Sequence, residues 1–313
     1  MTRLIKIDIT KKGMLMNEVN ATYINKCIES MLPRLCDQGY FYESRGVGGF
    51  DVPLETDLEI IDDVDGVTGF SSDMEVIREL FEWNHSNNFI TKNDILRQLV
   101  VIDSLYSANI KRMRGFALEE ICDDIWILCD NGDGTHTLGA LTSKVQATQT
   151  LNPLISALFK KSYGYVKGAP AGKAPSLISK YLYFATMACP VDKWGFPIYD
   201  SIANRLLPKL QRYLGIAITP QKQNTFDIDA YVSGLKSIID VLEKNNPQLW
   251  TTLPVLKFCL LDYFLWHIGK AGGNSYSLLL SKQEVQSCYA NGVVVRLPRR
   301  IVYWQQVYKE LHK

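Results

Sequence analysis

A lysine and an aspartate flank a short apolar segment of this 313-residue chain. Lys180 precedes the apolar run 181–188, and Asp200 follows it after a turn that contains Pro197. An ammonium group at the edge of an apolar surface loses hydration, which lowers its pKa, and a lysine with a lowered pKa is a competent amine nucleophile. A helix predicted over 200–207 makes Asp200 a good N-cap. Capping alone would explain Asp200, so the prediction of chemistry rests on its combination with Lys180 and with the segment before it.

That preceding segment, 159–176, is basic and rich in turn residues. It combines four lysines with three glycines, two prolines and two tyrosines. The pattern over 152–161 predicts a helix, and Pro175 with Ser176 is typical of the start of the next one. Helix, basic hairpin and helix together indicate a helix-hairpin-helix, a unit that presents backbone N–H groups and a helix N-terminus to a DNA phosphate. A flexible surface loop with solvated lysines is the alternative.

Most of the remaining sequence also has helical periodicity. Thr91 and Asp94 have the spacing of an N-cap and its acidic third residue, and a long apolar face follows them. The capping pattern and the apolar spacing predict a mainly α protein. Further helices are predicted over 118–129, 231–245 and 255–269.

The first 90 residues are harder to assign to a fold. We treat 1–90 as an unplaced N-terminal extension or subdomain, and 91–313 as a helical region with the hairpin unit at about 152–190. The extension contains a short alternation of apolar and polar residues that is typical of one edge strand. The apolar members of that alternation are Ile5, Ile7 and Ile9.

Charge is divided unevenly along the chain. Residues 1–150 hold 14 Lys and Arg against 24 Asp and Glu, whereas residues 151–313 hold 20 against 9. A basic second half indicates an anionic partner, of which nucleic acid is the commonest. Attraction between the two halves of the chain is the alternative reading.

The cysteines and the apolar segments argue against several classes of protein. There are seven cysteines, none in a C-x-x-C motif, which argues against a zinc knuckle, an iron–sulfur cluster or a secreted disulfide framework. The longest apolar stretch, 253–268, is too short to cross a bilayer and contains Lys257 and Asp262. We therefore expect a soluble, cytoplasmic protein without a metal or cofactor.

Two short motifs carry a resemblance to a known family. Ala174–Lys180 and Pro197–Asp200 resemble the hairpin and the aspartate turn of the helix-hairpin-helix DNA glycosylases, and within them the 8-oxoguanine DNA glycosylase fold. That family carries a catalytic lysine at the end of the hairpin and a catalytic aspartate at a similar distance after it. The segments 101–109 and 258–269 are similar to helices of a divergent bacterial group of this fold. The resemblance covers roughly residues 90–270, although Ser176 and Ile178 stand where better-known hairpins have glycines.

The resemblance implies a function and a set of site residues. It implies a DNA N-glycosylase, with or without β-lyase activity, that excises a damaged or modified base flipped out of double-stranded DNA. A hypermodified base of phage DNA, and so a role in antiviral defence, is one such substrate. Lys180 and Asp200 would be catalytic, and Phe184, Asp262 and Trp266 would line the base pocket. The predicted DNA contacts are Lys160, Lys161, Lys167, Gly172, Lys173, Ser176 and Ser179.

Two other functions stay open from the sequence. A DNA-binding protein of the same fold that has lost its chemistry would keep the basic hairpin. A helical scaffold whose acidic first half binds another protein would not bind DNA in a salt-sensitive manner.

Overall fold

The structure is a computed structural model, and its regular elements are almost all helical. The part of the chain that it describes contains twelve helices and two short antiparallel ribbons. The predicted mainly α class is therefore confirmed. The described residues are 9–32, 69–105, 118–145, 151–166, 169–218, 227–252, 255–272, 279, 289–290, 293–294 and 297–313.

The helices and strands are numbered here in chain order. The first six helices are α1 (Ile9–Glu29), α2 (Gly69–Asn87), α3 (Lys92–Leu105), α4 (Leu118–Leu128), α5 (Leu138–Val145) and α6 (Pro153–Lys160). The hairpin strands β1 (Tyr163–Val166) and β2 (Ala169–Gly172) follow. The remaining elements are α7 (Pro175–Ala188), α8 (Ser201–Tyr213), α9 (Ile228–Asn245), α10 (Pro247–Thr251), α11 (Lys257–Gly272), β3 (Tyr289–Ala290), β4 (Val293–Val294) and α12 (Arg299–Glu310).

The predicted N-terminal strand is wrong where the structure describes it. Ile9 is the first residue of the helix α1, whereas Ile5 and Ile7 lie outside the described residues. The buried residues Ala21, Ile24 and Ile28 recur with helical spacing along α1. That longer periodicity outweighs a three-residue alternation, because helix formation is cooperative along the segment.

Described helices of the first 90 residues pack on later parts of the chain. Asn25 of α1 donates to the Leu242 carbonyl at 2.9 Å and accepts from the Trp250 indole N–H at 2.9 Å. Phe81 of α2 packs edge-on against Tyr181 of α7, with ring centroids 5.0 Å apart. The division of the chain at residue 90 stays a prediction.

The predicted capping of α3 is confirmed and helps to place this helix. The Thr91 backbone N–H donates to Asp94 Oδ2 at 2.9 Å, and the Asp94 N–H donates to Thr91 Oγ1 at 3.2 Å. This reciprocal pair satisfies donors that a helix start leaves open. One turn later, Gln98 accepts a 2.7 Å hydrogen bond from the Tyr181 hydroxyl of α7. Helix α3 is thus fixed beside α7 by a buried polar contact.

The segment before Lys180 forms the predicted order of helix, hairpin and helix. Asn152 caps α6 by accepting from the Leu154 N–H at 2.9 Å. Strands β1 and β2 pair antiparallel, with Tyr163 opposite Gly172. Helix α7 then begins at Pro175, a favoured residue for the first turn because its missing N–H is not needed there.

Helix α7, which carries Lys180, is largely buried. Eleven of its 14 residues are buried, and α2, α3, α5 and α6 pack against it. Helix α11 is similarly apolar and packs on α8, α9 and α12. None of the helices in the described ranges is both long and apolar enough to span a membrane.

Candidate active site

Lys180 lies inside the protein near the N-terminal end of α7. Its residue exposure is 5%, and its immediate neighbours Ser179 and Tyr181 are both fully buried. Moving an ammonium group out of water favours the neutral amine. Burial is accordingly the main influence on the Lys180 pKa, which lies below the ordinary lysine value. The predicted desolvated lysine is therefore present at the predicted position.

Three carboxylates act on the charge of Lys180 and partly oppose the effect of burial. The strongest is Asp200, followed by Asp262 and then Asp103. They come from the start of α8, from α11 and from α3, so three separate elements bring negative charge to one amine. Burial and these three charges therefore act in opposite directions on the Lys180 pKa, and the effect of burial is the larger.

The loop after α7 explains why residues twenty positions apart meet. It runs back along the helix: the Phe196 N–H donates to Thr186 Oγ1 at 3.1 Å, and the Tyr199 N–H donates to Ser179 Oγ at 2.9 Å. Ser179 and Thr186 are seven residues apart along the helix, a rise of about 10 Å. Phe196 and Tyr199 are three residues apart in an extended segment, which spans about the same length, so both hydrogen bonds can form together. The return path places Asp200 beside the Lys180 end of α7.

Asp200 is the N-cap of α8, as predicted. Its Oδ1 accepts from the Ala203 N–H at 2.7 Å. The turn before it is held from another side, because the buried Tyr231 hydroxyl of α9 donates to the Ile198 carbonyl at 2.8 Å. The helix extends to Tyr213, beyond the predicted end at 207. Asp200 therefore has a fixed position, with one oxygen used by the cap.

Asp262 joins this cluster from α11. Burial, and next the negative charge of Asp200, raise the pKa of Asp262 well above its usual range, while Lys180 opposes this effect. A carboxyl group with a raised pKa holds its proton more readily and can then donate a hydrogen bond. The structure thus brings Asp262 together with Lys180 and Asp200, although the three residues are far apart in sequence.

The two aromatic residues predicted for the base pocket have different surroundings. Phe184 is 1% exposed and lies 6.1 Å, between ring centroids, from Phe81 of α2, which is the packing of a core residue. Trp266 is partly exposed on α11, with Lys270 5.6 Å above its ring. Trp266 is thus the more accessible of the two for stacking, and the pocket role of both stays a prediction.

Asp103 is a site residue that the sequence reasoning missed. It is 5% exposed on α3, and its charge acts on Lys180. A signal was available, because Asp103 lies one turn after Leu99 and beside Ile102, on a face that the pattern assigns to the core. A carboxylate on an apolar helix face is costly unless it interacts with another polar group.

The predicted DNA-binding lysines that the structure describes are exposed, and two of them pair with carboxylates. Lys160 lies 3.9 Å from Asp229, and Lys161 lies 2.7 Å from Asp124 of α4. The second pair joins the basic hairpin to the acidic first half, which favours in part the alternative that the two halves attract each other. Lys173 is exposed, and Lys167 lies outside the described residues.

Three smaller residues predicted to contact DNA have structural positions as well. Gly172 ends β2 opposite Tyr163. The Ser176 carbonyl accepts a 3.0 Å hydrogen bond from the Ser179 hydroxyl, which itself accepts from the Tyr199 N–H. Ser179 is fully buried, so its observed role is to join α7 to the turn before Asp200.

The comparisons with known proteins do not assign this chain to a family. Neither a family model, nor a curated protein, nor a solved structure matches it. Among the described residues, no three His, Cys, Asp or Glu side chains are placed to hold a metal ion. The site is therefore described by its own geometry: a buried amine, three carboxylates and an adjacent basic hairpin.

Proposed function

We propose that this protein is a DNA glycosylase whose nucleophile is the Lys180 amine. The observation that carries the proposal is the position of this lysine, which is buried in the second turn of the helix that follows a basic hairpin and lies within the influence of Asp200. Among known amine nucleophiles, desolvation is a common means of activation. The hairpin lysines supply the positive charge that a DNA backbone requires.

In the proposed reaction, Lys180 attacks C1′ of a flipped nucleotide. The Nζ–C1′ bond forms as the N-glycosidic bond breaks, and the base departs with the bonding electrons and takes a proton from solvent. One Nζ proton passes to a nearby carboxylate, which returns it to O4′ as the C1′–O4′ bond breaks, and the opened sugar is left as a protonated Schiff base. β-Elimination then removes a C2′ proton and expels the 3′-phosphate, which nicks the strand. The negative charge of Asp200 stabilises the oxocarbenium-like sugar in the transition state.

The state of Asp262 bears on which bases suit the pocket. An ionised Asp262 accepts hydrogen bonds and fits a base that offers an amino group. A protonated Asp262 also donates, and so fits a carbonyl oxygen or ring nitrogen. The raised pKa of Asp262 extends the pH range over which the protonated form is present. The substrate panel therefore needs both kinds of base, including damaged bases and the hypermodified bases of phage DNA.

The test is direct excision by the full-length protein. Duplexes that carry single modified bases, and phage genomic DNAs, are incubated with protein and assayed for abasic sites. Abasic sites in one or more DNAs are expected with wild type and not with Lys180→Gln. Binding of all DNAs without excision would favour the inactive DNA-binding alternative. Absence of salt-sensitive DNA binding would favour the protein scaffold.

A further inference from the structure

Gly269 lies where α11 packs against the first turn of α8. A side chain at this position would overlap Ile202 Cγ2, and its Cβ would lie 3.4 Å from Leu206 Cδ1. The absence of a side chain therefore sets how closely α8 approaches α11. Ile202 is only two residues after Asp200 and belongs to the turn that Asp200 caps. A displacement of Ile202 is consequently transmitted to Asp200.

The same helix also carries Asp262. Asp262 and Gly269 are seven residues apart, which is two helical turns, so both face the same side of α11. One face of α11 thus presents a carboxylate toward Lys180 and, two turns later, receives Ile202. Hydrogen bonds hold the turn before Asp200 to Ser179 and Tyr231, whereas this packing contact holds the turn after it.

We propose that Gly269 is a positioning residue that, through Ile202, sets the location of Asp200 relative to Lys180 and Asp262. The inference deepens the proposed function and rests on it for the catalytic readout. The isoleucine at position 202 fills the space that Gly269 leaves, so this contact is apolar. A polar residue in that apolar contact would require a hydrogen-bond partner.

The first arm of the test compares two glycine substitutions in the same helix. Gly269→Ala presses on Ile202, whereas Gly272→Ala presses on Tyr308 of α12 and serves as the matched control. Both replace a glycine of α11 by alanine, at an interior position for Gly269 and at the last residue of the helix for Gly272. We expect Gly269→Ala to lower the single-turnover excision rate by about tenfold or more, because misplacement of a catalytic group by about 1 Å costs up to about 10²-fold. Gly272→Ala should keep the wild-type rate.

The second arm is a rescue. Ile202→Ala in the Gly269→Ala background removes the methyl groups that the new side chain displaces, so excision should recover to within a few-fold of wild type. A purely structural effect of alanine on α11 would not be corrected by shortening a side chain on α8. Failure of the double variant to recover, with both proteins folded, would overturn the proposal.

The third arm does not depend on catalysis. In lysine-labelled protein, the pH titration of the Lys180 Cε carbon is followed by NMR, and its resonance is assigned by its loss in Lys180→Gln. Asp200, Asp262 and Asp103 all raise the Lys180 pKa, so moving Asp200 away lowers it. We expect a lower Lys180 pKa in Gly269→Ala, a wild-type value in Gly272→Ala and recovery in the double variant. Identical titrations in the two glycine variants would overturn the positioning role.

These arms separate the inference from the proposed function. If the wild-type protein excises no base, the proposed function fails, and the titration alone decides whether Gly269 positions Asp200. Should Gly269→Ala not fold, the titration is run on Ile202→Ala alone, which removes the contact from the α8 side. An unchanged Lys180 pKa in that variant would contradict the proposal.

Discussion

Two lysines are buried in the described part of this protein, and their surroundings differ. Lys257, at the start of α11, is 8% exposed and contacts both carboxylate oxygens of Glu243 at 2.7 and 2.8 Å. Its ammonium also lies 4.6 Å from the Trp194 ring centroid. Lys180 is 5% exposed, and burial dominates its pKa despite three carboxylates nearby. The two lysines are thus similarly buried, but Lys257 is in a close ion pair, whereas burial dominates the pKa of Lys180.

The difference indicates which buried lysine is available for chemistry. Lys257 contacts both oxygens of one carboxylate and an aromatic face, so that lysine is suited to hold structure. It joins α11 to α9 and to the loop that leads to Asp200. Lys180 sits in an apolar helix that favours the amine. Replacement of each lysine by glutamine should therefore have a different effect at the two positions.

The largest expected effect is on excision by Lys180→Gln. This substitution removes the nucleophile and should reduce excision to the limit of detection while DNA binding is retained. Lys257→Gln also removes a buried ammonium and is the matched control, for which excision should persist. Both rates are measured under single-turnover conditions on the substrate found by the panel. A normal excision rate in Lys180→Gln would mean that water is the nucleophile and that Lys180 has only a binding role.

The next largest effect is expected for Asp200→Asn. Asparagine is as good an N-cap as aspartate, so the free energy of unfolding should change by well under about 1 kcal/mol. The lost negative charge should lower the excision rate by about 10²–10³-fold. Asp227→Asn is the matched control, because Asp227 caps α9 in the same manner. Full activity of Asp200→Asn would show that this carboxylate is only a cap.

For the free energy of unfolding, we expect Lys257→Gln to have a larger effect than Lys180→Gln, which is the opposite of the order expected for excision. Lys257→Gln leaves Glu243 without its bidentate partner in a largely buried position, and should lower the free energy of unfolding by up to about 3 kcal/mol. Glu243→Gln tests the same pair from the other side. Chemical denaturation measures both. A change below about 0.5 kcal/mol in both variants would contradict the structural role assigned to this lysine.

The pH dependence sharpens the contrast further. Excision should rise with pH as Lys180 loses its proton, with a midpoint below the ordinary lysine pKa. Because Asp200 raises that pKa, Asp200→Asn should move the midpoint to lower pH. Between the folded and unfolded pKa values of Lys180, the unfolded chain binds more protons, so the contribution of this lysine to stability increases with pH. A pH-independent rate would argue against an amine nucleophile.

The smallest expected effects concern single hairpin lysines. If the four lysines of the hairpin segment neutralise four phosphates, the logarithm of DNA affinity should fall with that of salt at a slope of about −3.6. Lys173→Gln should reduce the magnitude of this slope by about 0.9, whereas the exposed Lys313→Gln should not. Lys161→Gln should have less effect than Lys173→Gln, because Lys161 already pairs with Asp124. A salt-independent affinity would exclude a DNA role for the hairpin.

Local patterns predicted much of the fold. The capping pair Thr91 and Asp94, the N-cap Asp200 and the starts of α6 and α7 all follow from residue types that satisfy open helix donors. The continuous apolar run beside Lys180 predicts that its ammonium group is desolvated. These features depend on residues that are close together in the sequence, and they can therefore be predicted from it.

Other features depend on contacts that sequence spacing does not encode. The loop returns along α7 because Ser179 and Thr186 accept backbone hydrogen bonds from it. The presence of a serine and a threonine in a helix does not predict these bonds. Asp103 reaches Lys180 only because α3 packs on α7. The importance of a glycine at position 269 follows only from its contact with Ile202. The spacing of Lys180 and Asp200 predicts that the two act together, and the family resemblance adds Asp262 as a base-pocket residue; the charges of both carboxylates act on Lys180 in the structure.

The most direct test of the account is to trap the covalent intermediate and locate it. Wild-type protein is incubated with its substrate duplex and borohydride, which reduces a Schiff base to a stable amine, and the linked peptide is identified by mass spectrometry. We expect a DNA adduct on Lys180, which is retained in Lys257→Gln and lost in Lys180→Gln. Excision without any adduct, or an adduct on another lysine, would contradict the claim that Lys180 is the nucleophile.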